Sequence, residues 1–209
     1  EIYTRYSYSS NEKKGLSNPV VGRTIEDKDG NLWIGTEGGG LNYYNRRTRE
    51  FKWYRPQEGR NSISHNNVKA LYYDADKEII WIGTHLGGLN KLDIRSGHFT
   101  HYRMEEGNPA TLPSDIIRDI IPYKSLLIVA TQNGVCLFNP ANGQCQQLFK
   151  DSKEGKSIKM IADVTFDSEG TLWIAATGEG VFSYRFDTRK LTNYRHDATN
   201  PNSLSNNNV

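Results

Sequence analysis

A five-residue motif that recurs along the chain decides the fold. The copies are Leu32-Trp33-Ile34-Gly35-Thr36, Ile80-Trp81-Ile82-Gly83-Thr84, Leu172-Trp173-Ile174-Ala175-Ala176 and, in divergent form, Leu126-Leu127-Ile128-Val129-Ala130. When Leu127 is aligned with the three tryptophans, the copies lie 48, 46 and 46 residues apart. The same three spacings separate a second motif, found at Gly40-Leu41, Gly88-Leu89, Gly134-Val135 and Gly180-Val181. Two independent motifs therefore indicate that the chain is built from four repeats.

Each repeat contains four apolar-rich runs of strand length, and none of them has helical periodicity. In the first repeat the runs, here called strands a to d, are Val21 to Glu26, Leu32 to Gly35, Gly40 to Tyr44 and Phe51 to Arg55. Turn-forming residues such as Asp27-Lys28-Asp29-Gly30 separate the runs. Four short strands per repeat, with Trp and Gly landmarks, predict an all-β fold, a β-propeller of four four-stranded antiparallel blades. An open stack of β-sheets is the alternative.

The predicted blades follow one another in a single propeller segment that covers residues 1–209. Its parts are the outer strand of a preceding blade and a linker at 1–20, blade 1 at 21–67, blade 2 at 68–115, blade 3 at 116–160, and blade 4 with a linker into a next blade at 161–209. The outer strand is predicted at Ile2 to Ser7, because Tyr3 and Tyr6 precede Phe51 and Tyr54 by 48 residues. Since blade 4 has a strand d of its own, we expect the chain to be a fragment of a larger propeller.

Composition argues against several classes of partner. Lys and Arg number 26 against 24 Asp and Glu, a net charge of +2, so nucleic acid is not expected as a partner. The mean hydropathy is −0.70, and no apolar run reaches the roughly 18 residues that span a bilayer, so this segment is expected to make no membrane contact.

The two cysteines, Cys136 and Cys145, are too few for a disulfide scaffold and lack the partners of a zinc site. They flank the turn from Asn139 to Gly143. If the flanking strands pair with Leu137 opposite Cys145, Cys136 lies on the other face, so free thiols are expected. No metal and no cofactor are expected.

The repeats resemble the two-component regulator propeller repeat. The resemblance rests on Asp27-x-Asp29-Gly30-x-Leu32-Trp33-Ile34-Gly35-Thr36, on Gly39-Gly40-Leu41-Asn42, on the aromatic residues of strand d and on the linker Asn200-Pro201-Asn202-Ser203-Leu204-Ser205-Asn206-Asn207. In the third repeat, Tyr123-Lys124-Ser125 replaces the Asp-Gly turn and Leu127 replaces Trp. The resemblance implies seven-bladed propellers in the periplasmic sensor region of a hybrid two-component histidine kinase, which senses oligosaccharides and regulates polysaccharide-utilisation genes.

The same resemblance sets the expected partners and chemistry. No kinase motif occurs in the chain, so the segment is expected to be non-catalytic and to bind an oligosaccharide. Its other partners would be the remaining blades of the parent chain, and exposed blade faces would also allow the fragment to associate with itself. The alternative is a streptogramin lyase-like propeller enzyme, in which a histidine acts as general base.

Candidate ligand-binding residues lie in the loops that converge at one end of a propeller channel. The b–c loops carry different polar residues in each repeat, namely Glu37, His85, Gln132, Asn133 and Glu179. The d–a loops contribute His65, Asn67 and Asp115, together with Asn66, Ser114 and Lys159. Varied polar side chains on a repeated frame are typical of recognition, so we predict a binding site here.

Other conspicuous residues are predicted to be structural. The repeated Trp33, Trp81 and Trp173 are expected to pack between blades. Trp53 has no counterpart in the other repeats and is expected to be exposed on an outer strand. The sequence from Asp27 to Asn31 begins like a calcium loop but lacks its ligand spacing, so a hairpin turn is favoured. The arginines between Arg46 and Arg49 are expected to be solvated, with an anion site as the alternative.

Overall fold

The computed structural model describes residues 4–209, which form sixteen strands in four sheets. The first eight strands are β1 (Val21–Glu26), β2 (Leu32–Thr36), β3 (Leu41–Asn45), β4 (Glu50–Tyr54), β5 (Val68–Asp74), β6 (Ile79–Thr84), β7 (Leu89–Asp93) and β8 (His98–Tyr102). The last eight are β9 (Ile117–Tyr123), β10 (Leu126–Thr131), β11 (Gly134–Phe138), β12 (Cys145–Gln147), β13 (Ile161–Phe166), β14 (Leu172–Ala176), β15 (Gly180–Arg185) and β16 (Lys190–Tyr194). Short 3-10 turns occur at Glu12–Lys14 and Gly155–Ser157. Within this described range, no helix has the length and apolar character needed to cross a bilayer.

Each sheet is antiparallel and contains the four strands of one repeat in sequence order. In the first repeat, the observed strand ends differ from the predicted ones by at most one residue. The predicted all-β architecture of four four-stranded propeller blades is therefore confirmed. We number the blades 1 to 4 in chain order.

Blades 1 and 2 belong to the first of two compact units, which ends at Tyr102. The core of unit 1 lies between these two blades. Trp33 and Leu41 of blade 1 pack in one buried cluster with Ile80 and Ile82 of blade 2. Ile63, in the link between the blades, is 1% exposed and joins the same cluster. The repeated tryptophan of blade 1 is thus an inter-blade packing residue, as predicted.

Blades 3 and 4 belong to unit 2, which begins at Arg103. Ile128 and Val135 of blade 3 form a buried cluster with Ile174 and Phe182 of blade 4. Burial of these apolar side chains supplies the main stabilisation of the blade pair. Trp173 differs from Trp33 and Trp81 because it is only half-buried.

The a–b turns explain why Asp and Trp recur together. The Asp27 carboxylate accepts hydrogen bonds from the backbone N–H groups of Asp29 and Asn31, at 3.0 and 2.9 Å. Its second oxygen accepts from the indole Nε1–H of Trp33 at 3.0 Å. In blade 4, Asp167 binds Trp173 Nε1 in the same way at 2.7 Å. The carboxylate therefore joins the hairpin turn to the core tryptophan, and the predicted turn is confirmed.

The structure corrects the alignment of the third repeat. Thr36 donates its hydroxyl to the carbonyl of Gly40 at 2.8 Å, and Thr131 makes the same bond to Gly134 at 2.9 Å. Trp33 precedes Thr36 by three residues, and Ile128 precedes Thr131 by three residues, so Ile128 is the counterpart of Trp33. The predicted alignment of Leu127 with the tryptophans was therefore wrong by one residue. The cause is a b–c turn that is one residue shorter in blade 3, which the glycine spacings alone could not reveal.

The predicted register of the cysteine strands is also wrong. Phe138, rather than Leu137, pairs with Cys145, and Cys136 pairs with Gln147. A shift of one residue reverses the faces, because side chains alternate along a strand. Cys136 and Cys145 therefore share a face, and their free Sγ atoms lie 3.2 Å apart in the buried interior of the blade.

The residues before β1 pack on the outer strands of blade 1. The strand predicted at Ile2 to Ser7 is absent from residues 4–7, while Ile2 and Tyr3 lie outside the described residues. The Tyr6 ring lies 4.6 Å from that of Tyr44 instead. Trp53, expected to be exposed, is half-buried and donates its Nε1–H to the carbonyl of Gly15 at 2.9 Å. It therefore anchors the leading segment.

Candidate functional site

All four b–c turns are held by the same backbone hydrogen bond. The first residue of each turn donates its N–H to the carbonyl of the residue just before strand a. The pairs are Glu37 to Val20, His85 to Asn67, Gln132 to Ile116 and Thr177 to Met160, with N···O distances of 3.0, 2.9, 2.9 and 3.1 Å. The frame is therefore constant, whereas the side chain that it presents changes from blade to blade.

In unit 1 this frame brings four of the predicted site residues together. Asn67 pairs with Glu37 through an isolated antiparallel bridge and accepts the N–H of His85. The N–H of Asn67 donates to His65 Nδ1 at 3.0 Å. The rings of His65 and His85 have centroids 6.5 Å apart. Together with Lys69, discussed next, these residues form what we call the unit 1 cluster.

Lys69 was not predicted from the sequence, yet it belongs to the unit 1 cluster. Its ammonium group contacts the Glu37 carboxylate directly. This hydrogen bond and the positive charge of Lys69 lower the pKa of Glu37 below its usual value of 4.5. Lys69 lies on β5, where the pairing with β6 shifts register between Val68 and Ala70. A bulge in the strand that carries the residue gave no signal in the sequence.

The unit 1 cluster also contains an unsatisfied polar atom. His85 Nδ1 is buried and has no hydrogen-bond partner among the described residues. A buried polar atom without a partner is costly, and such atoms are few in native proteins. The described residues therefore leave one hydrogen-bonding position of the His85 ring unfilled. The enzyme alternative requires a histidine within reach of an acidic or a second basic partner. In the unit 1 cluster the carboxylate of Glu37 is held by Lys69, and the rings of His65 and His85 are 6.5 Å apart.

In unit 2, two predicted acidic residues are engaged by arginine side chains. Asp115 pairs with Arg103 at 3.0 Å and accepts the N–H of Met104 at 2.8 Å. Glu179 pairs with Arg195 at 2.7 Å. The Asp115 carboxylate is bound within its d–a link by Arg103. The Glu179 carboxylate joins a b–c turn to Arg195, which follows β16. These pairs give the two residues a structural role in the described conformation.

A cleft of about 290 Å³ on blade 3 lies beside some of the remaining predicted residues. Asn133 and Lys159, both predicted, line it together with Gln147 at the end of β12. Lys150 and Lys156 complete its basic rim, and no acidic side chain contributes to its lining. The two further lysines lie in the d–a link between β12 and β13, and they were not predicted from the sequence. We call this feature the unit 2 cleft.

Two further candidates, the Arg46 turn and the Asp27 turn, are engaged by contacts within the protein. Arg46 pairs with Glu26 at 3.1 Å, and its turn lies at the opposite end of strand β3 from the b–c turn. The carboxylate of Asp27 is occupied by protein donors, as described above. Within residues 4–209, no group of three or more His, Cys, Asp or Glu side chains is placed to hold a metal ion.

Comparison with known proteins identifies the repeats. The model of the two-component regulator propeller matches residues 15–38 and 62–85. No curated protein has a sequence that matches the chain. Residues 15–38 and 62–85 cover the links into blades 1 and 2 and their strands a and b.

Solved structures share the fold. The extracellular domain of the hybrid two-component system BT3049 from B. thetaiotaomicron matches with a TM-score of 0.79 and 24% identity, over 92% of this chain and 27% of that one. Two structures of the extracellular domain of BT4673 from the same organism, titled a one-component and a hybrid two-component system, match with TM-scores of 0.74 and 0.71 at 24% identity. Each covers 92% of this chain, which spans 26% of BT4673. This chain thus corresponds to about a quarter of each solved domain, and its residues 15–38 and 62–85 match the model of the two-component regulator propeller, the family that the sequence resemblance predicted.

Proposed function

We propose that the chain is a non-catalytic, ligand-sensing propeller segment from the periplasmic part of a hybrid two-component sensor histidine kinase. Its ligand is an oligosaccharide, and binding regulates polysaccharide-utilisation genes. The kinase is carried by other parts of the parent protein.

One observation carries this proposal. The b–c turns keep an identical backbone hydrogen bond in every blade, while the side chains at that position are Glu37, His85, Gln132 and Thr177. A rigid, repeated frame that presents varied polar groups is suited to recognising the hydroxyl pattern of a saccharide, because each hydroxyl needs its own donor or acceptor. The buried Nδ1 of His85 is one such acceptor or donor without a partner.

The comparisons support the sensor assignment at a coarser level. The matched family is a regulator propeller, and the similar solved structures are extracellular domains of hybrid two-component and one-component systems. Both findings favour a regulatory role over the lyase-like alternative.

A partner for the outer face of blade 4 is part of the proposal. Trp33 is 2% exposed beneath blade 2, whereas its counterpart Trp173 is half-buried and Tyr194 beside it is 44% exposed. A cavity of about 530 Å³ lies here, bounded also by Leu204. A further blade of the parent chain would cover this face, as Ile63 and its neighbours cover Trp33. In the isolated fragment, a second copy of the chain would take that place.

A glycan array followed by calorimetry tests the proposed function. The chain is screened against neutral and acidic plant and bacterial oligosaccharides, and the best ligand is titrated into the wild type and into variants of the unit 1 cluster and the unit 2 cleft. We expect the variant in the site that the ligand occupies, His85→Ala for the unit 1 cluster or Asn133→Ala for the unit 2 cleft, to weaken binding at least about tenfold, the loss of roughly one hydrogen bond to a desolvated ligand.

Arg47→Ala is the matched control, because Arg47 lies in an exposed c–d turn and should leave affinity unchanged. Absence of any bound oligosaccharide, or equal affinity for all three variants, would contradict the proposal.

A further inference from the structure

Cys136 and Cys145 are arranged as a cross-linkable pair. They lie on adjacent antiparallel strands, β11 and β12, and side chains diagonally opposite on one face of such a pair are within reach of each other. Their exposures are 0% and 6%, and their Sγ atoms are 3.2 Å apart. The two thiols are thus in direct contact inside blade 3.

Blade 3 lacks a tie that blades 1 and 2 possess. In blade 1, the buried Asn42 accepts the N–H of Ser17 at 2.8 Å and donates to the Ser17 hydroxyl at 2.7 Å. In blade 2, Asn90 makes the same two bonds to Ser64. These bonds fix strand c to the incoming link in both blades.

The cysteines replace this tie in blade 3. Asn42 pairs with Trp53 and Cys136 pairs with Gln147, at the same position of the sheet, so Cys136 stands where Asn42 stands in blade 1. The place of Ser17 in the link is taken by Pro113, which has neither a hydroxyl nor an N–H to offer. Blade 3 has therefore lost the polar tie and has gained a second thiol opposite the first.

The outer strand of blade 3 is also the shortest of the four outer strands. β12 has three residues, whereas β4, β8 and β16 have five each. It nevertheless supports the unit 2 cleft, because Gln147 lines the cleft and Leu148 donates its N–H to the Val135 carbonyl at 2.8 Å. A bond between the two sulfurs would hold this short strand in place beneath the cleft.

We propose that Cys136 and Cys145 form an intramolecular disulfide that fixes β12 beneath the unit 2 cleft when the protein meets a disulfide oxidant. Cys145 is the more exposed thiol, and its thiolate attacks one sulfur of the oxidant, forming a mixed disulfide and releasing the first reduced thiol. The Cys136 thiolate then attacks the Cys145 sulfur and releases the second thiol. Two protein thiols are oxidised, one oxidant disulfide is reduced to two thiols, and the protons pass to the departing thiolates.

Burial controls how readily this reaction proceeds. It raises the pKa of the Cys136 thiol well above its ordinary value of 9.0, and contact with Cys145 raises it further. The thiolate is therefore scarce in the closed blade, so oxidation should accompany folding or transient opening of β12. The pair should accordingly be slow to react in the folded, reduced protein.

The test is peptide mass analysis combined with thermal unfolding of the whole chain. The protein is refolded with oxidised glutathione, alkylated in denaturant and digested with trypsin, which releases both cysteines in one peptide, Ser125 to Lys150. We expect this peptide to lack two hydrogen atoms and to take up no alkylating reagent. We expect the oxidised protein to unfold about 5–10 °C above the reduced protein, from the entropy of closing a short loop in a chain of this size.

The Cys136→Ala/Cys145→Ala variant should show no difference between oxidising and reducing conditions, which assigns the shift to this pair. A peptide that alkylates at both cysteines after refolding, a disulfide between two chains, or an oxidised protein with an unchanged unfolding temperature would each overturn the proposal.

Discussion

Replacement of Trp81 by alanine is expected to destabilise the chain strongly without altering its ligand. Trp81 lies in the centre of β6 and is 1% exposed, and every residue of β6 is buried. Removing a fully buried aromatic side chain costs about 3–5 kcal/mol, since the transfer free energy is lost and a cavity remains. For a chain of this length that corresponds to a fall in unfolding temperature of about 6–20 °C.

The half-buried Trp173 provides the matched comparison. It occupies the same position in blade 4, but part of its surface is already in water, so Trp173→Ala should cost only about 1–3 kcal/mol. Urea unfolding followed by tyrosine fluorescence and circular dichroism measures both variants under one condition. Equal losses for the two variants, or a Trp81→Ala protein as stable as the wild type, would refute the reasoning that the cost follows from how deeply each tryptophan is buried.

Three further substitutions test the interactions that hold the blades. Asn42→Ala should cost about 1–3 kcal/mol in urea unfolding because the buried Ser17 groups lose their partners, whereas Asn142→Ala in an exposed turn should be neutral. Gly40→Ala should destabilise the protein much more than Gly97→Ala. Both glycines have a positive φ, which costs about 1–2 kcal/mol for alanine. Only at Gly40 would the new Cβ also meet a backbone oxygen, because the carbonyl oxygen of Tyr54 would lie 2.2 Å from it. The Trp173 hydrogen bond lowers the pKa of Asp167 below 3.8, so the stability it confers is present above that value and is lost as pH falls through the lower, folded-state pKa. Acid titration of Asp167→Asn should therefore show less loss of stability below about pH 4 than the wild type. An identical acid response in Asp167→Asn would contradict the role of the turn carboxylate.

The strand order and the blade count could be predicted because they depend on local signals. Repeated Trp and Gly residues mark equivalent positions, and turn residues mark the strand ends, so blade 1 is reproduced almost to the residue. The two errors in the fold prediction occur in blade 3, where an alignment or a strand pairing differs from the predicted one by a single residue. A shorter b–c turn displaced the alignment of Leu127, and a hairpin that closes at Phe138 reversed the faces of the cysteines.

The candidate site was predicted only in part, because contacts between loops depend on packing. The frame brought Glu37, His65, Asn67 and His85 together as the loop positions indicated. Lys69 was not included in the predicted site, because the direction of its side chain depends on a bulge in β5. No residue type in the sequence indicates that bulge. Asp115 and Glu179 were predicted as ligand contacts, and in the structure each forms an ion pair with an arginine. These ion pairs could not be predicted from the spacing of residues along the sequence.

Hydrogen exchange with and without the best oligosaccharide tests the central claim most directly, namely that the b–c turns recognise the ligand. The account predicts that slowed exchange is confined to the amides of the b–c turns, the d–a links and the starts of the adjoining strands a, around Glu37 and His85 in unit 1 or around Gln132 in unit 2. The c–d turns, such as the one at Arg47, should exchange at the same rate in both states. Protection that appears at the c–d turns, or no change at any b–c turn in the presence of a saturating ligand, would contradict it.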